Sequence, residues 1–385
     1  MQSNSLPESI LALYPAKEPP APPSWKRTLR LLPLLLLIPA GLLLPRLAAG
    51  HAALIEEYYI RLDYPAIKGA ILSVTKLLPF SLAELIIYAL CVLVPILLIS
   101  SAVKSVRLRA GQYFVRRVIA LGVVFGLGLN LFYITWGFAY QRKPLAERMN
   151  LAVGPRDTSE LAAVAEDLAN EAAYLRTFVY EDARGVATYS AGENAALDSL
   201  TSCYDQLASL YPQFSGQVTA AKPVLHSKAL SRAGIAGVYV GLTAEANVNV
   251  DQPDMSIPHA AAHEMAHQLG VASENEAEFT AFLACLCSPD PFIRYSGVMQ
   301  MLVRAGNALN GADSELYALL RESYDPLVLR DLTDEAAYWA YYDGPVADAV
   351  DAVNDGYLKH NGQTSGVKSY GEAVDLLLAW YESQN

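Results

Sequence analysis

Hydrophobic residues are concentrated in the N-terminal part of the chain, up to Gln141, where three runs contain no charged residue. These runs are Leu31–Pro45, Leu85–Val103 and Val118–Gln141. A helix needs about 20 apolar residues to cross the hydrocarbon core of a bilayer, so the second and third runs each predict a transmembrane helix. The first run is shorter, and it can span if the arginines at its two ends reach opposite interfaces. The alternative is a cleaved signal peptide, which the long proline-rich segment before this run disfavours.

The positions of lysine and arginine predict the orientation of these helices. The N-terminal tail is basic near the first run, and the loop between the second and third runs has five basic residues and no acidic one. Because positively charged segments stay in the cytoplasm, we expect a cytoplasmic Pro-rich tail over 1–28, three transmembrane helices within 29–141 and an extracytoplasmic domain over 142–385. An aromatic belt at the outer membrane face is expected from three residues of the third run: Tyr133, Trp136 and Tyr140.

Residues 142–385 have the pattern of a mainly helical soluble domain. Leu161–Tyr174 and Tyr370–Trp380 have apolar residues at helical spacing. Ile235–Val250 differs, because valines alternate within it and glycines punctuate it, which predicts β-structure. The expected fold is therefore an α-helical membrane anchor followed by a mainly α (α+β) domain with a small β-sheet edge.

Charge divides the chain at the same boundary. Residues 1–141 carry 13 Lys/Arg and 6 Asp/Glu, and the totals of 28 and 39 leave 15 and 33 for the remainder, a net charge of −18. Since phosphate binding needs a basic surface, this balance disfavours a nucleic-acid partner. The acidity is explained by solubility.

A metal-binding motif lies in the acidic half. His263, Glu264 and His267 form HExxH. On a helix the two histidines lie one turn apart on the same face, so both imidazoles can bind one Zn²⁺ ion. Glu264 is then placed to polarise a water molecule and transfer its proton. Pro258 suits the first turn of such a helix and Gly270 suits the position after its end.

The third ligand is expected on the following helix. Ser273 and Glu276 have the spacing of a capping box, which predicts that this helix begins at Glu274. Glu276 is then assigned to the cap. Glu274 and Glu278 are four residues apart and share a face, so Glu274 is predicted to bind the metal and Glu278 to orient a ligand histidine. The alternatives are that Glu278 is the ligand, or that both carboxylates are solvated helix charges.

Other candidate ligands fit the pattern less well. The third histidine of a metzincin would fall at position 273, which is serine. His259 lies one turn before His263 and is expected at the start of the helix, near the rim of the site.

The chain resembles an uncharacterised bacterial membrane family catalogued as domain of unknown function 3810. The resemblance rests on four pieces: Trp136-Gly137 with Tyr140 to Leu145, Leu242 to Asn249, His263 to Phe279, and Tyr357 to Tyr370. It implies a zinc-peptidase-like, gluzincin-type site in a zincin-like domain. By this analogy the β-structure would be an edge strand above the metal helix, where an extended peptide could pair. Possible substrate or oxyanion contacts are, on the same analogy, Asn247, Asn249, Tyr357 and Tyr370.

Three functions follow from these expectations. The leading hypothesis is a membrane-anchored zinc metallopeptidase that cleaves a peptide or protein substrate outside the cytoplasm, with the lipid bilayer as its other partner. The second is a zinc-stabilised extracytoplasmic sensor or scaffold without turnover, which a fourth protein ligand would favour. The third is an envelope-assembly protein in which the motif is accidental.

Overall fold

The computed structural model of the protein describes residues 23–154, 156–190, 192–366 and 372–384, and in them the chain is mostly helical. The α-helices are α1 Trp25–Leu29, α2 Leu37–Ala48, α3 Ala52–Leu54, α4 Tyr64–Thr75, α5 Leu82–Arg107, α6 Gln112–Thr135, α7 Leu145–Met149, α8 Thr158–Arg176, α9 Glu193–Leu210, α10 Ser227–Arg232, α11 Ile257–Gln268, α12 Glu274–Leu286, α13 Pro291–Ala312, α14 Ser314–Glu322, α15 Pro326–Tyr342, α16 Pro345–His360 and α17 Ala373–Gln384. The strands are β1 Tyr180–Glu181, β2 Ala187–Thr188, β3 Lys222–Pro223, β4 Gly237–Val240 and β5 Glu245–Val248. Helical turns of other types cover Leu32–Leu36, Ile55–Asp63, Gly137–Gln141, Pro212–Phe214 and Asp254–Ser256.

Three helical stretches are long and apolar enough to cross a membrane, as predicted. We name them span 1 (Trp25–Ala48), span 2 (Leu82–Arg107) and span 3 (Gln112–Thr135). Span 3 begins and ends earlier in the chain than the charge-free run from which it was predicted. It ends early because Trp136 has a φ of −159° and leaves the helical conformation.

The chain forms two compact units. The first comprises residues up to Pro39 together with Leu90–Leu127, and the second comprises Ala40–Ala89 and Gly128–Asn385. In the first unit, span 3 packs closely on the middle of span 1: a Cβ added to Gly126 would lie 2.9 Å from Leu37 Cβ. Small residues allow such close approach between helices in a bilayer.

The second unit contains the domain and also one end of each span. Ala40–Ala48, Leu82–Ala89 and Gly128–Thr135 all belong to it. The loop between spans 1 and 2 is part of the same unit, because α4 packs on the end of α11 through Lys68 and Tyr64. This loop therefore packs on the domain, as expected if spans 2 and 3 cross the bilayer in opposite directions.

The aromatic residues predicted as a membrane belt are instead partly enclosed by the domain. Tyr133 is 1% exposed and donates a hydrogen bond to Asn361 Oδ1 at 3.1 Å. Trp136 is 4% exposed and packs against Tyr140. The prediction was wrong for Tyr133 and Trp136 because charge-free runs do not reveal that protein, rather than lipid, covers the end of span 3.

The centre of the second unit is α11, all twelve residues of which are buried. Pro258 lies in its first turn, and Gly270 follows its end with a φ of +73°, as predicted. A left-handed residue after a helix is most easily supplied by glycine. Helices α9, α12 and α13 and the larger sheet surround α11.

The larger sheet has the strand order β3-β5-β4. β3 is parallel to β5, and β4 is antiparallel to it with Val238 opposite Asn247. The predicted segment Ile235–Val250 thus forms a hairpin, of which β4 is an edge strand and β5 the central strand. Both strands pack on α11.

Candidate metal centre

Two histidines and one glutamate converge between α11 and α12. His263 and His267 project from one face of α11, and α12 begins at Glu274, as predicted from the sequence. Glu274 Oε2 lies 3.1 Å from His263 Nε2 and 3.7 Å from His267 Nε2. All three side chains are buried, and one ligand atom from each lies within 4.8 Å of the others. This cluster could hold a metal ion.

Two of the three separations between the donor atoms are compatible with a tetrahedral zinc site. Zinc binds imidazole nitrogen and carboxylate oxygen at about 2.0–2.2 Å, so two ligand atoms of a tetrahedral site lie roughly 3.4 Å apart. The separations of 3.1 and 3.7 Å lie on either side of this value. Three buried glutamates, Glu264, Glu274 and Glu278, belong to this region, and the guanidinium of Arg304 pairs with one of them, Glu278.

The pKa values reflect this crowding of acids and imidazoles. Burial acts to raise the pKa of Glu274, but hydrogen bonds from both histidines hold it far below its ordinary value. Burial acts to lower the pKa of His263, and the bond with Glu274 and the charges of Glu278 and Glu274 outweigh it, so this pKa is raised. The electrostatic environment therefore favours positive charge between these side chains.

Hydrogen bonds away from the cluster set the orientation of His267. Its Nδ1–H donates to the carbonyl oxygen of Val271 at 2.6 Å. Nδ1 is therefore protonated, and Nε2 is the nitrogen left to bind a metal ion. Ligand histidines are commonly fixed in this manner by a backbone carbonyl.

Glu278 lies behind His263, on the side opposite Glu274. Its Oε1 is 3.6 Å from His263 Nδ1 and accepts a hydrogen bond from Arg304 at 2.7 Å. Burial acts to raise the pKa of Glu278, but the charge of Arg304 and the nearby imidazoles lower it to about 2. Arg304 is on α13, the helix after the one that carries Glu278, and no spacing rule of the sequence indicates it.

His259 is buried rather than placed at the rim, which corrects the sequence interpretation. Its Nε2 lies 3.6 Å from Glu278 Oε2, and neither atom has a hydrogen-bond partner among the residues that the structure describes. Burial lowers the pKa of His259 to about 4, so the ring is neutral. The error arises because α13 covers this turn of α11, and Ser296 of α13 accepts the His259 backbone N–H.

Glu264 is held against the edge strand β4. A Cβ added to Gly237 would lie 2.7 Å from both Cγ and Oε1 of Glu264, so only glycine leaves room for this carboxyl group. Burial raises the pKa of Glu264 to about 8, and the nearby charges of Glu274 and Glu278 act in the same direction. The charge of His267 and a hydrogen bond from the Tyr239 backbone N–H act to lower this pKa but are outweighed.

Glu276 does not cap α12, although the helix begins where the capping box predicted. Ser273 is the N-cap residue but makes no side-chain cap bond, and its hydroxyl donates to Asn275. Glu276 instead accepts the backbone N–H of Leu145 at 2.6 Å and pairs with Arg148 at 3.1 Å. Folding brings the buried guanidinium of Arg148 close to Glu276, and the Glu276 carboxylate binds it instead of capping α12.

The residues suggested as substrate contacts have different surroundings. The Asn247 and Asn249 side chains are buried and donate to backbone carbonyls, including those of Val238 and Ile235. They brace the hairpin, and the structure does not support them as substrate contacts. Tyr357 is partly exposed and stacks edge-on with Tyr140.

Tyr357 remains near the metal cluster. Its pKa is raised by burial and by the charge of Glu274, against a hydrogen bond with Tyr140 that lowers it. Tyr370 lies outside the described residues.

Four side chains from the membrane-proximal segments hold the end of α11. Trp136 Nε1 donates to the His267 carbonyl at 3.1 Å, and Tyr64 and Lys68 donate to that of Gln268 at 2.9 and 2.6 Å. Arg142 donates to the carbonyl of Leu269 at 3.1 Å. These carbonyls lie at the end of the helix, where the intrahelical hydrogen bonds stop, and two of the four donors are basic, which suits the negative end of the helix dipole.

Comparison with known proteins identifies the family but not the activity. No curated protein and no solved structure matches the chain significantly. The family described as "Protein of unknown function (DUF3810)" matches residues 59–378, more than four fifths of the chain. The match begins at Tyr59, whose hydroxyl contacts the end of span 3, and it includes the whole metal cluster. The chain belongs to this DUF3810 family.

Proposed function

We propose that this protein is a membrane-anchored zinc metallopeptidase with a gluzincin-type site in a zincin-like domain. The observation that carries the proposal is the buried cluster of His263, His267 and Glu274 beside Glu264. Two histidines and a glutamate leave the fourth position of a tetrahedral zinc ion for water or substrate. A bound zinc ion would polarise the scissile carbonyl and activate a water molecule.

Glu264 is the general base in this proposal. Its buried carboxyl has a pKa raised to about 8, and a group that titrates near neutral pH can both accept and donate a proton. It would take the proton of the attacking water and deliver it to the leaving amine. The fixed position of Glu264 against Gly237 supports this role, because proton transfer requires close alignment with the substrate.

Tyr357 is the best placed candidate to stabilise the developing oxyanion. Burial and the charge of Glu274 raise its pKa, so the hydroxyl stays protonated and able to donate. Glu278 beside His263, and the Val271 carbonyl bonded to His267, would keep both imidazoles oriented towards the metal.

The basic residues favour an extracytoplasmic location for the site. Among the described residues, the first unit carries eight basic side chains and no acidic one. Positive segments stay inside, so three crossings from a cytoplasmic N-terminus would place the domain outside the cytoplasm. The lipid bilayer and a peptide or protein substrate are the partners that this arrangement implies.

The experiment uses the full chain purified in lipid nanodiscs. Metal analysis is expected to find about one zinc per chain in wild type and Glu264→Gln and none in His263→Ala. A mixed peptide library should be cleaved by wild type and not by Glu264→Gln. Cleavage by Glu264→Gln at the wild-type rate would refute the assignment of the base. A fourth protein ligand in the zinc-bound chain would favour the structural-zinc alternative.

A further inference from the structure

We infer that the substrate is a polypeptide segment that lies within a few residues of its own membrane anchor. This inference rests on the proposed peptidase function and specifies its substrate class. It is carried by the position of the metal cluster and of the β4 edge relative to the ends of the three spans, all of which belong to the second unit.

The metal helix touches the end of span 3 directly. Trp136 is the first residue after that span, and its indole lies edge-on to the His267 ring with 5.6 Å between centroids. The same indole donates to the His267 backbone. A proposed metal ligand is thus separated from the end of a membrane-crossing helix by the thickness of one aromatic side chain.

The edge strand is tied to two spans. Gly241, which follows β4, lies so close to Trp136 that an added Cβ would be 2.5 Å from the Trp136 Cβ. Glu245, which begins β5, accepts the backbone N–H groups of Leu82 and Ala83 at 3.0 and 2.9 Å, where span 2 starts. The turn of the β4–β5 hairpin is therefore fixed where span 2 begins and span 3 ends.

Exposed apolar side chains are also found in the segments that contact the ends of the spans. Leu54, Tyr58 and Leu62 are each more than half exposed, and their spacing of four residues places them on one face. Their neighbour Tyr59 donates to the Ile134 carbonyl at the end of span 3. Leu242, in the hairpin turn, is also exposed. Large apolar side chains exposed to water are costly, and contact with the lipid interface would remove that cost.

The outer edge of β4 faces Glu264. Among the described residues, β4 pairs with β5 alone, and the Tyr239 N–H on its other edge bonds to Glu264, so an extended peptide would pair with the remaining groups of this edge. About three extended residues span 10 Å at roughly 3.3 Å each. A chain that leaves the bilayer can therefore reach the metal cluster within a few residues, whereas a distant segment must fold back to the membrane surface.

The test measures where an anchored substrate is cut. Zinc-loaded full chain in nanodiscs is given a long peptide of repeated mixed sequence, free or joined to a dialkyl lipid or to an apolar helix. Mass spectrometry of the products gives the distance of each cut from the anchor, and Glu264→Gln is the inactive control. We expect cuts within roughly 25 Å of extended chain from one or both anchors, at about 3.3 Å per residue. The anchored peptide should be cut at least tenfold faster than the free one.

The outcomes separate the inference from the function on which it rests. Cuts near only the dialkyl lipid, or near only the apolar helix, identify which kind of anchor the substrate has. Cuts spread evenly, or confined to positions more than roughly 40 Å of extended chain from both anchors, overturn the inference and leave the peptidase function intact. Surface enrichment alone raises the rate without fixing the position of the cut. If the zinc-loaded chain cuts neither free nor anchored peptide, the proposed function itself fails.

Discussion

Replacing Gly237 with alanine tests whether the edge strand positions the general base. The new Cβ would lie 2.7 Å from Glu264 Oε1 and 3.0 Å from the Asn247 carbonyl oxygen. Ordinary contacts begin near 3.4 Å, so a displacement of roughly 0.7 Å is needed. The Asn247 oxygen belongs to the central strand and resists movement, so Glu264 must be displaced. A misplacement on the order of 1 Å costs about 100-fold in rate.

The assay is peptide hydrolysis by the full chain in nanodiscs, with zinc content and thermal unfolding measured on the same samples. Gly237→Ala is expected to keep its zinc, lose roughly 100-fold in kcat/KM and lose about 1–3 kcal/mol of stability from overpacking. Gly356→Ala is the matched control, because its added Cβ meets nothing within 4 Å. Activity of Gly237→Ala within threefold of wild type would refute the placement of Glu264 against β4.

Two further predictions concern the supports of the metal helix. Lys68→Met should lower the unfolding temperature by about 5 °C, because it removes the donor to the part-buried Gln217 carbonyl and one of the two side-chain donors to the buried Gln268 carbonyl, together worth about 2 kcal/mol. The exposed Lys76→Met is the control, and equal melting of the two variants would contradict the contact. The pKa of Glu278 is lowered to about 2, so its charge stabilises the folded chain above its ordinary pKa near 4.5 and this contribution is lost as pH falls towards 2. The gap in unfolding temperature between the zinc-free chain and Glu278→Gln should therefore shrink from pH 6 to pH 3, and a constant gap would show that the charge of Glu278 is not stabilising.

The sequence predicted the parts of the site that local geometry controls. HExxH on a helix with Pro258 at its start and Gly270 beyond its end sets the two histidines one turn apart. The start of α12 at Glu274 followed from the residues around it. These features depend on neighbours within a few positions, which periodicity and capping rules describe.

The parts that depend on distant segments were not predictable from the same rules. The capping role assigned to Glu276 failed because Arg148, 128 residues away, captures its carboxylate. Arg304 reaches Glu278 from α13, and Lys68 supports α11 from a loop that hydropathy assigns to the membrane region. Each contact forms only when the helices pack together, so no pattern within one segment predicts it.

The boundary between membrane and domain shows the same limit. Charge-free runs gave the number of spans, but they extended span 3 to Gln141, whereas the helix ends at Thr135. The residues beyond it are apolar because they are buried by the domain, as Trp136 is. Hydropathy does not distinguish burial in protein from burial in lipid.

The coordination of zinc in the full chain tests the central claim most directly. X-ray absorption spectra of the zinc-loaded protein should show two imidazole nitrogens and two oxygens at about 2.0–2.2 Å, one oxygen being that of Glu274. The Glu274→Gln variant should lose most of its zinc affinity. A zinc site with sulfur ligands, or an affinity unchanged in Glu274→Gln, would contradict the assignment of His263, His267 and Glu274 as the metal site.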